Sequence, residues 1–239
     1  MDFAFLRETF VLLLSGLPLT LQLAFVSIAA GAVLAVLLAL MRLSGSRWLG
    51  ALARSYVFVF RGTPLLVQIF LIYYGLGQFP EVRESVAWPF LRQPYWCALL
   101  ALGLNTAAYS SEIIRGGILS VPFGQVDAAR ACGMSRALIF RRIVVPQGLR
   151  VALPAYGNEI ILMTRSTALA SVITLMEVTG IASKIISETF RPVEVFVCAG
   201  AIYLMLNFAI SRVVALVERR LSPQARKRAP AAAAPEPVR

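Results

Sequence analysis

Four polar side chains interrupt apolar stretches of this sequence and are candidates for a substrate pathway: Gln68, Asn158, Glu159 and Thr164. Polar groups at membrane depth are costly and generally face a bundle interior or a water-filled cavity. The carboxylate of Glu159, next to the amide of Asn158, suits the ammonium or guanidinium of a cationic molecule. The sequence leaves open whether Glu159 meets such a substrate or pairs with an arginine of another subunit.

The residue inventory excludes several kinds of chemistry. The chain has no histidine, and its cysteines, Cys97, Cys132 and Cys198, are far apart, which excludes histidine catalysis and disfavours a metal site. Neither lysine, Lys184 or Lys227, follows a glycine as in a Walker A phosphate loop. We therefore expect no catalytic residue, no metal and no cofactor on this chain. Any ATP and Mg that drive it are expected on a separate ATPase chain.

The composition is that of an integral membrane protein. Of 239 residues, 59% are hydrophobic and only 15% are charged, whereas soluble domains carry about 25% charged residues. A membrane-spanning helix needs about 20 apolar residues. The hydrophobic stretches predict an all-α protein with five transmembrane helices, at about 11–40, 56–79, 94–114, 151–172 and 194–216.

Basic residues predict how these spans are oriented. The net charge is +11, and the excess lies in alternate connections: in 41–55, which holds Arg54, in 115–150, and after the last span. Basic connections normally stay in the cytoplasm, so we predict the N-terminus outside and the C-terminus inside. This distribution argues against a nucleic-acid partner and for contact with anionic membrane lipid.

The connection 115–150 has the pattern of two short helices joined by a turn. Pro122 suits a helix start, Gly133 suits a left-handed turn, and Ser135 suits the cap of a second helix. Pro146 is predicted to end that second helix. Two interpretations remain: an amphipathic hairpin that anchors in lipid headgroups, or a knob that docks on a cytoplasmic partner.

Other polar residues have a structural interpretation. Glu112 and Arg115 are three residues apart, so they are predicted to form an ion pair at the membrane edge. Arg61, Thr63 and Pro64 are expected to open the second span at the membrane interface, where Arg61 reaches the headgroups or pairs locally. Pro154 and Gly157 are expected to loosen the helix before Glu159 and expose backbone carbonyls.

Residues 124–133, GQVDAARACG, resemble the EAA loop of ABC importer permeases, with Asp127 in place of the usual glutamate. Further stretches narrow the resemblance to the polar amino acid permeases, and most of all to the M-type subunits of histidine/lysine/arginine/ornithine and opine importers. It extends over about residues 15–220. The matching stretches are 61–68 (RGTPLLVQ), 109–116 (YSSEIIRG), 146–150 (PQGLR), 152–159 (ALPAYGNE) and 166–169 (STAL).

This resemblance implies a permease domain at 1–220 that contains the coupling loop 115–150, followed by a basic and then Ala/Pro-rich cytoplasmic tail at 221–239, predicted to be disordered. The chain would lie in the bacterial inner membrane as a multi-pass subunit. Its partners would be a homologous Q-type permease, two ATP-binding subunits and a periplasmic substrate-binding protein. The residues implied in coupling to the ATPase are Asp127, Ala128, Ala129, Gly133, Ile143 and Pro146.

The resemblance also implies a substrate class. The implied substrates are cationic amino acids (arginine, lysine, histidine or ornithine) or opines. The implied mechanism is alternating access. Two alternatives remain open: a permease for neutral or acidic polar amino acids such as glutamine and glutamate, and an ATP-independent transporter or channel. The sequence shows neither the inverted repeats nor the membrane proton relay expected of the latter.

Overall fold

The computed structural model describes residues 3–221, and in this part of the chain every regular element is helical. The predicted tail at 221–239 lies, but for its first residue, outside the described residues. Wider π turns occupy Leu71–Gly75 and Phe140–Val144, and 3₁₀ turns occupy Leu76–Gln78 and Thr167–Ile173. The α-helices are α1 (Phe3–Leu14), α2 (Leu17–Leu43), α3 (Arg47–Gly62), α4 (Leu65–Phe70), α5 (Pro80–Arg83), α6 (Trp88–Leu91), α7 (Pro94–Leu119), α8 (Phe123–Ala131), α9 (Arg136–Ile139), α10 (Val145–Ser166), α11 (Val178–Thr189) and α12 (Pro192–Leu221).

Three helical stretches are long and apolar enough to cross a membrane: Phe3–Leu43, Pro94–Leu119 and Pro192–Leu221. Two bent pairs pass the same test when each pair is taken together. They are Arg47–Gly62 with Leu65–Gln78, bent by 104°, and Arg136–Ile173 with Val178–Thr189, bent by 46°. The described residues therefore hold three to five candidate spans, and the predicted number of five stays a prediction.

The second predicted span differs from the structure in its start and in its shape. Helix α3 begins at Arg47, where the Ser46 side chain accepts a hydrogen bond from the Leu49 N–H, so Arg54 lies within a helix and not in a loop. The helix ends at Gly62 because Thr63, which precedes Pro64, takes an extended conformation. Thr63 and Pro64 therefore form the corner between two helices and do not begin a span.

The fourth predicted span also starts earlier than expected. Pro146 does not end a helix: the π turn Phe140–Val144 leads directly into α10, with Pro146 in its first turn. A π turn widens the backbone locally, which accommodates a residue without an N–H. Pro154 lies inside α10, which continues without a break, so the helix is not unwound there, although the proline has no N–H to donate to the carbonyl four residues earlier.

The core forms where α2, α7 and α10 pack closely together. A Cβ on Gly117 of α7 would meet the Gly148 carbonyl oxygen and would lie 2.9 Å from Cβ of Ala152, both in α10. Only glycine permits this close crossing. Because α7 and α10 touch here, the next turns of both helices face each other and, with α3, surround a cavity.

Candidate functional site

The cavity has a volume of about 520 Å³ and lies against the corner between α3 and α4. Its other walls are α7 and α10. This volume is within the range of about 300–1,000 Å³ that is typical of small-molecule sites. Apolar side chains, Leu162 among them, line part of the wall. The polar lining residues are Arg61, Thr63, Asn105, Tyr109, Glu159 and Ser166.

Glu159 brings a carboxylate to this cavity from the middle of α10. The residue is only 7% exposed, and its Oε1 accepts a hydrogen bond of 2.9 Å from the Thr106 hydroxyl of α7. Within residues 3–221 no arginine or lysine nitrogen lies within 4.0 Å of this carboxylate. Glu159 is therefore a carboxyl group oriented by Thr106 and without a direct ion pair in this part of the chain.

Arg61 brings a positive charge to the same cavity from the last turn of α3. Its guanidinium lies over the Tyr109 ring, 4.9 Å from the ring centre, a cation–π contact that holds the side chain. The sequence predicted that Arg61 would reach the headgroups or pair locally; the structure places it on the cavity wall. The cavity thus presents a guanidinium and a carboxylate with no direct ion pair between them.

Gln68 is buried behind the corner and is not among the residues that line the cavity. Its Nε2 donates to the carbonyl oxygens of Phe60 and Thr63, at 2.9 and 3.1 Å, and to the Thr63 hydroxyl at 2.9 Å. Its Oε1 accepts from Asn105 Nδ2 at 3.0 Å. Backbone carbonyls at the end of α3 are left free by the bend, so Gln68 supplies the partners that they need.

Asn158 and Thr164 also lie away from the cavity wall. Asn158 is exposed on another face of α10, although it is adjacent to Glu159 in sequence. Thr164 is buried, and its hydroxyl donates to the Ile160 carbonyl oxygen at 2.8 Å. Of the four residues proposed for a pathway from the sequence, the structure places one, Glu159, on this wall.

A second groove, of about 540 Å³, adjoins the cavity. The two share Arg61, Gly62 and Tyr109 as lining residues, and the groove continues along α3 past Arg54. At its far end Glu112 accepts from Arg42 at 2.7 Å. The predicted pair of Glu112 with Arg115 is confirmed, also at 2.7 Å, whereas the second partner was not predicted because it comes from a distant helix.

The segment that the sequence predicted to be a coupling loop contains α8, a turn and α9, so the first helix and the turn are as predicted, whereas the second helix continues into α10. Helix α8 follows Pro122, Gly133 is left-handed with φ of 77°, and the Ser135 side chain accepts from the Leu138 N–H at 3.3 Å. Asp127 forms an exposed ion pair of 2.9 Å with Arg130. Of the remaining residues proposed for coupling, Ala128 and Gly133 are exposed, Ala129 is buried, and Ile143 and Pro146 are half-buried.

Metal ligands are not clustered in the described part of the chain: residues 3–221 contain no group of three His, Cys, Asp or Glu side chains able to hold an ion. The cavity residues are instead charged and hydrogen-bonding groups that suit an organic ion.

Asn105 and Tyr109, which sequence reasoning missed as site residues, lie four residues apart and so share a face of α7. The spacing of the two residues is visible in the sequence, but the sequence does not show that their face of α7 lies opposite Glu159.

Residues 8–223 match the protein family described as "Binding-protein-dependent transport system inner membrane component". The chain is 66% identical over 226 residues to an octopine transport system permease protein of Rhizobium meliloti, covering 95% of this chain and 92% of that protein. It is 40% identical over 207 residues to a histidine/lysine/arginine/ornithine transport system permease protein of Salmonella typhimurium, covering 86% and 88%. A crystal structure of an amino acid ABC transporter with histidines matches with a TM-score of 0.83 and 38% identity, over 92% of this chain and 99% of that one.

Proposed function

Because the chain belongs to the family of binding-protein-dependent transport system inner membrane components, we propose that it is a permease subunit of an ATP-driven importer that carries cationic amino acids or opines. Its relatives transport octopine and histidine, lysine, arginine or ornithine according to their names. These compounds share a carboxylate and a cationic nitrogen group. A site for them therefore needs both signs of charge.

The observation that carries this proposal is the arrangement of Glu159 and Arg61 in one cavity without an ion pair between them. Glu159 binds the ammonium or guanidinium of the substrate, and Arg61 binds its carboxylate. Charge-assisted hydrogen bonds are the strong ones in proteins, so this pair fixes the substrate's orientation. Ser166 and Asn105 on the same wall provide further polar groups.

The same charges weigh against the alternative substrates. An acidic amino acid brings a second carboxylate but no second cation, so it leaves Glu159 facing a net negative molecule. A neutral amide such as glutamine offers Glu159 only its α-ammonium, whereas arginine offers a guanidinium as well. Among relatives, the higher identity to the octopine protein, 66% against 40%, favours an opine.

In the membrane, each bent helix pair forms one span, which gives five spans with the N-terminus outside. The basic residues of the connections support this orientation. Helix α8 and the turn at Gly133 then lie on the cytoplasmic side and dock into ATP-binding subunits. ATP and Mg are held by those subunits, and this chain contributes no residue to hydrolysis.

The complete importer contains a second, Q-type permease, two ATP-binding subunits and a periplasmic binding protein. Closure of the ATP-binding subunits moves the coupling helices, and the helices around the cavity rock against the partner permease. The exposed surface of α8 and of the turn after it supports this docking role, since Asp127, Ala128 and Gly133 are all exposed in the described part of the chain.

Uptake of labelled arginine by cells with and without this chain, with its partner subunits present in both, tests the proposal. Unlabelled lysine, histidine, glutamine and octopine serve as competitors. We expect ATP-dependent uptake that requires this chain and is competed by a cationic amino acid or by octopine. Competition by glutamine alone would contradict the substrate class, and uptake without ATP would contradict the permease mechanism.

A further inference from the structure

Arg54 and Arg61 lie on one face of α3 and line the same groove. Seven residues make nearly two helical turns, so the two side chains project in similar directions from points about 10 Å apart along the axis. Arg61 also borders the main cavity, where Glu159 lies. Cavity and groove together therefore present one negative and two positive side chains in the order Glu159, Arg61, Arg54.

The carboxylate at the end of the groove forms no direct ion pair with either of these two arginines. Glu112 already binds Arg42 and Arg115, each at 2.7 Å. In the part of the chain that the structure describes, no carboxylate oxygen lies within 4.0 Å of the guanidinium of Arg54 or Arg61. Two guanidinium groups thus line the groove without a carboxylate in direct ion-pair contact, next to the cavity that Glu159 lines.

We infer that Arg54 is a specificity-determining residue that binds the second carboxylate of an opine whose first carboxylate is held by Arg61. This inference rests on the proposed function and concerns the same site. Octopine is an arginine whose α-nitrogen carries an additional carboxyl-bearing group, so it has one guanidinium, one protonated secondary amine and two carboxylates. Its guanidinium and its two carboxylates follow the order of Glu159, Arg61 and Arg54, whereas arginine leaves Arg54 without a partner.

Arginine and lysine differ in how they bind a carboxylate. The planar guanidinium of Arg54 can donate two parallel hydrogen bonds, while a lysine would bind as a point charge. Lysine at position 54 therefore retains the attraction but loses geometric fit. A neutral glutamine at position 54 loses both the attraction and the geometric fit. We expect this loss to weaken transport of the substrate with two carboxylates.

The experiment compares uptake of labelled octopine and of labelled arginine by the complete importer, with the variants Arg54→Gln and Arg54→Lys. The matched control is Arg47→Gln, seven residues earlier on the same helix and outside the groove lining. We expect Arg54→Gln to raise the KM for octopine about tenfold or more relative to that for arginine, since a charge-assisted bond is lost. Arg54→Lys should restore part of the difference, and Arg47→Gln should leave the ratio unchanged.

The binding protein is the same in all strains, so a change in the ratio of the two KM values is due to this chain. If Arg54→Gln changes the KM for octopine and the KM for arginine equally, or changes neither, the inference is overturned. Wild-type uptake of arginine without octopine would also overturn it while the proposed function stands. Uptake of neither compound would overturn both. If octopine alone is transported, its loss in Arg54→Gln with recovery in Arg54→Lys supports the inference.

Discussion

The side-chain amide of Gln68 accepts a hydrogen bond of 3.0 Å from Asn105 Nδ2, which joins the corner between α3 and α4 to α7. Asn105 lines the cavity, and Gln68 lies behind it. The same Gln68 amide donates to Phe60 and Thr63 at the end of α3. This small network fixes the bend that places Arg61 on the cavity wall.

Replacement of Gln68 by leucine is expected to destabilise the protein by about 1–3 kcal/mol, because the Thr63 carbonyl loses its side-chain donor and only the bond of 3.3 Å between Asn105 and the Phe60 carbonyl remains. Thermal unfolding of the protein in detergent measures this effect. The matched control is Gln78→Leu, since Gln78 is exposed and its side chain bonds only to the carbonyl of Tyr74, one turn earlier. Equal stability of the two variants would contradict a role for Gln68 in holding the bend.

Replacement of Glu159 by glutamine is expected to reduce uptake of cationic substrate about tenfold or more, because the amide keeps the size but loses the charge. Uptake by cells that express the full importer measures it, with assembly checked by co-purification of the subunits. Asn158→Ala, on an exposed face of the same helix, is the control and should transport normally. A complex that fails to assemble with Glu159→Gln would instead indicate a structural ion pair with a partner subunit.

Gly133→Arg is expected to abolish substrate-stimulated ATP hydrolysis by the assembled importer, because a large side chain would fill the turn that we propose docks on the ATPase. Gly45 provides a close control: both glycines are left-handed, with φ of 77° and 74°, and a Cβ on either would meet no atom within 4 Å. Both substitutions carry the same backbone cost of about 1–2 kcal/mol. Equal loss of coupling in Gly45→Arg and Gly133→Arg would therefore argue against a specific docking role.

Gly117→Ala is expected to lower the unfolding temperature, with a cost of about 1–3 kcal/mol for overpacking the crossing of α7 and α10. A Cβ there would lie 2.9 Å from that of Ala152, whereas a Cβ on the adjacent Gly116 would meet no atom within 4 Å. Gly116→Ala should therefore be neutral or stabilising, since alanine favours a helix more than glycine does. Thermal unfolding of both variants separates packing from helix propensity.

Glu112→Gln is expected to destabilise the protein more than Asp127→Asn. The side chains of Arg42 and Glu112 are 17% and 19% exposed, and removing the charge leaves two enclosed arginines unpaired. Those of Arg130 and Asp127 are 62% and 66% exposed, so that pair is worth at most about 1 kcal/mol. Denaturant unfolding of the purified variants compares the two, and a larger loss in Asp127→Asn would contradict this assignment.

The sequence alone predicted the features that depend on neighbouring residues. Pro122, Gly133 and Ser135 defined the two helices of the coupling loop, because helix starts, left-handed turns and caps are set by local backbone chemistry. The pair of Glu112 with Arg115 followed from helical spacing in the same way. The apolar composition and the motifs identified the class of membrane transporter, and the family match confirms that resemblance.

Local signals were misleading where two elements shared one apolar stretch. The second predicted span is two helices at 104°, since Pro64 forces Thr63 out of the helical conformation while hydropathy continues across the corner. Pro146 was expected to end a helix that instead continues through a π turn. A hydropathy profile reports burial in lipid, but it contains no information on the direction of the backbone.

Only the tertiary structure decided which polar groups meet. Arg61 and Glu159 come from helices far apart in sequence, and the packing of α3, α7 and α10 brings them to one cavity. The same packing turns Asn158 away, because adjacent residues of a helix point about 100° apart. The sequence determined which charges the membrane must accommodate; the helix crossings, set by side-chain shape over long sequence separations, determined which of them face one another.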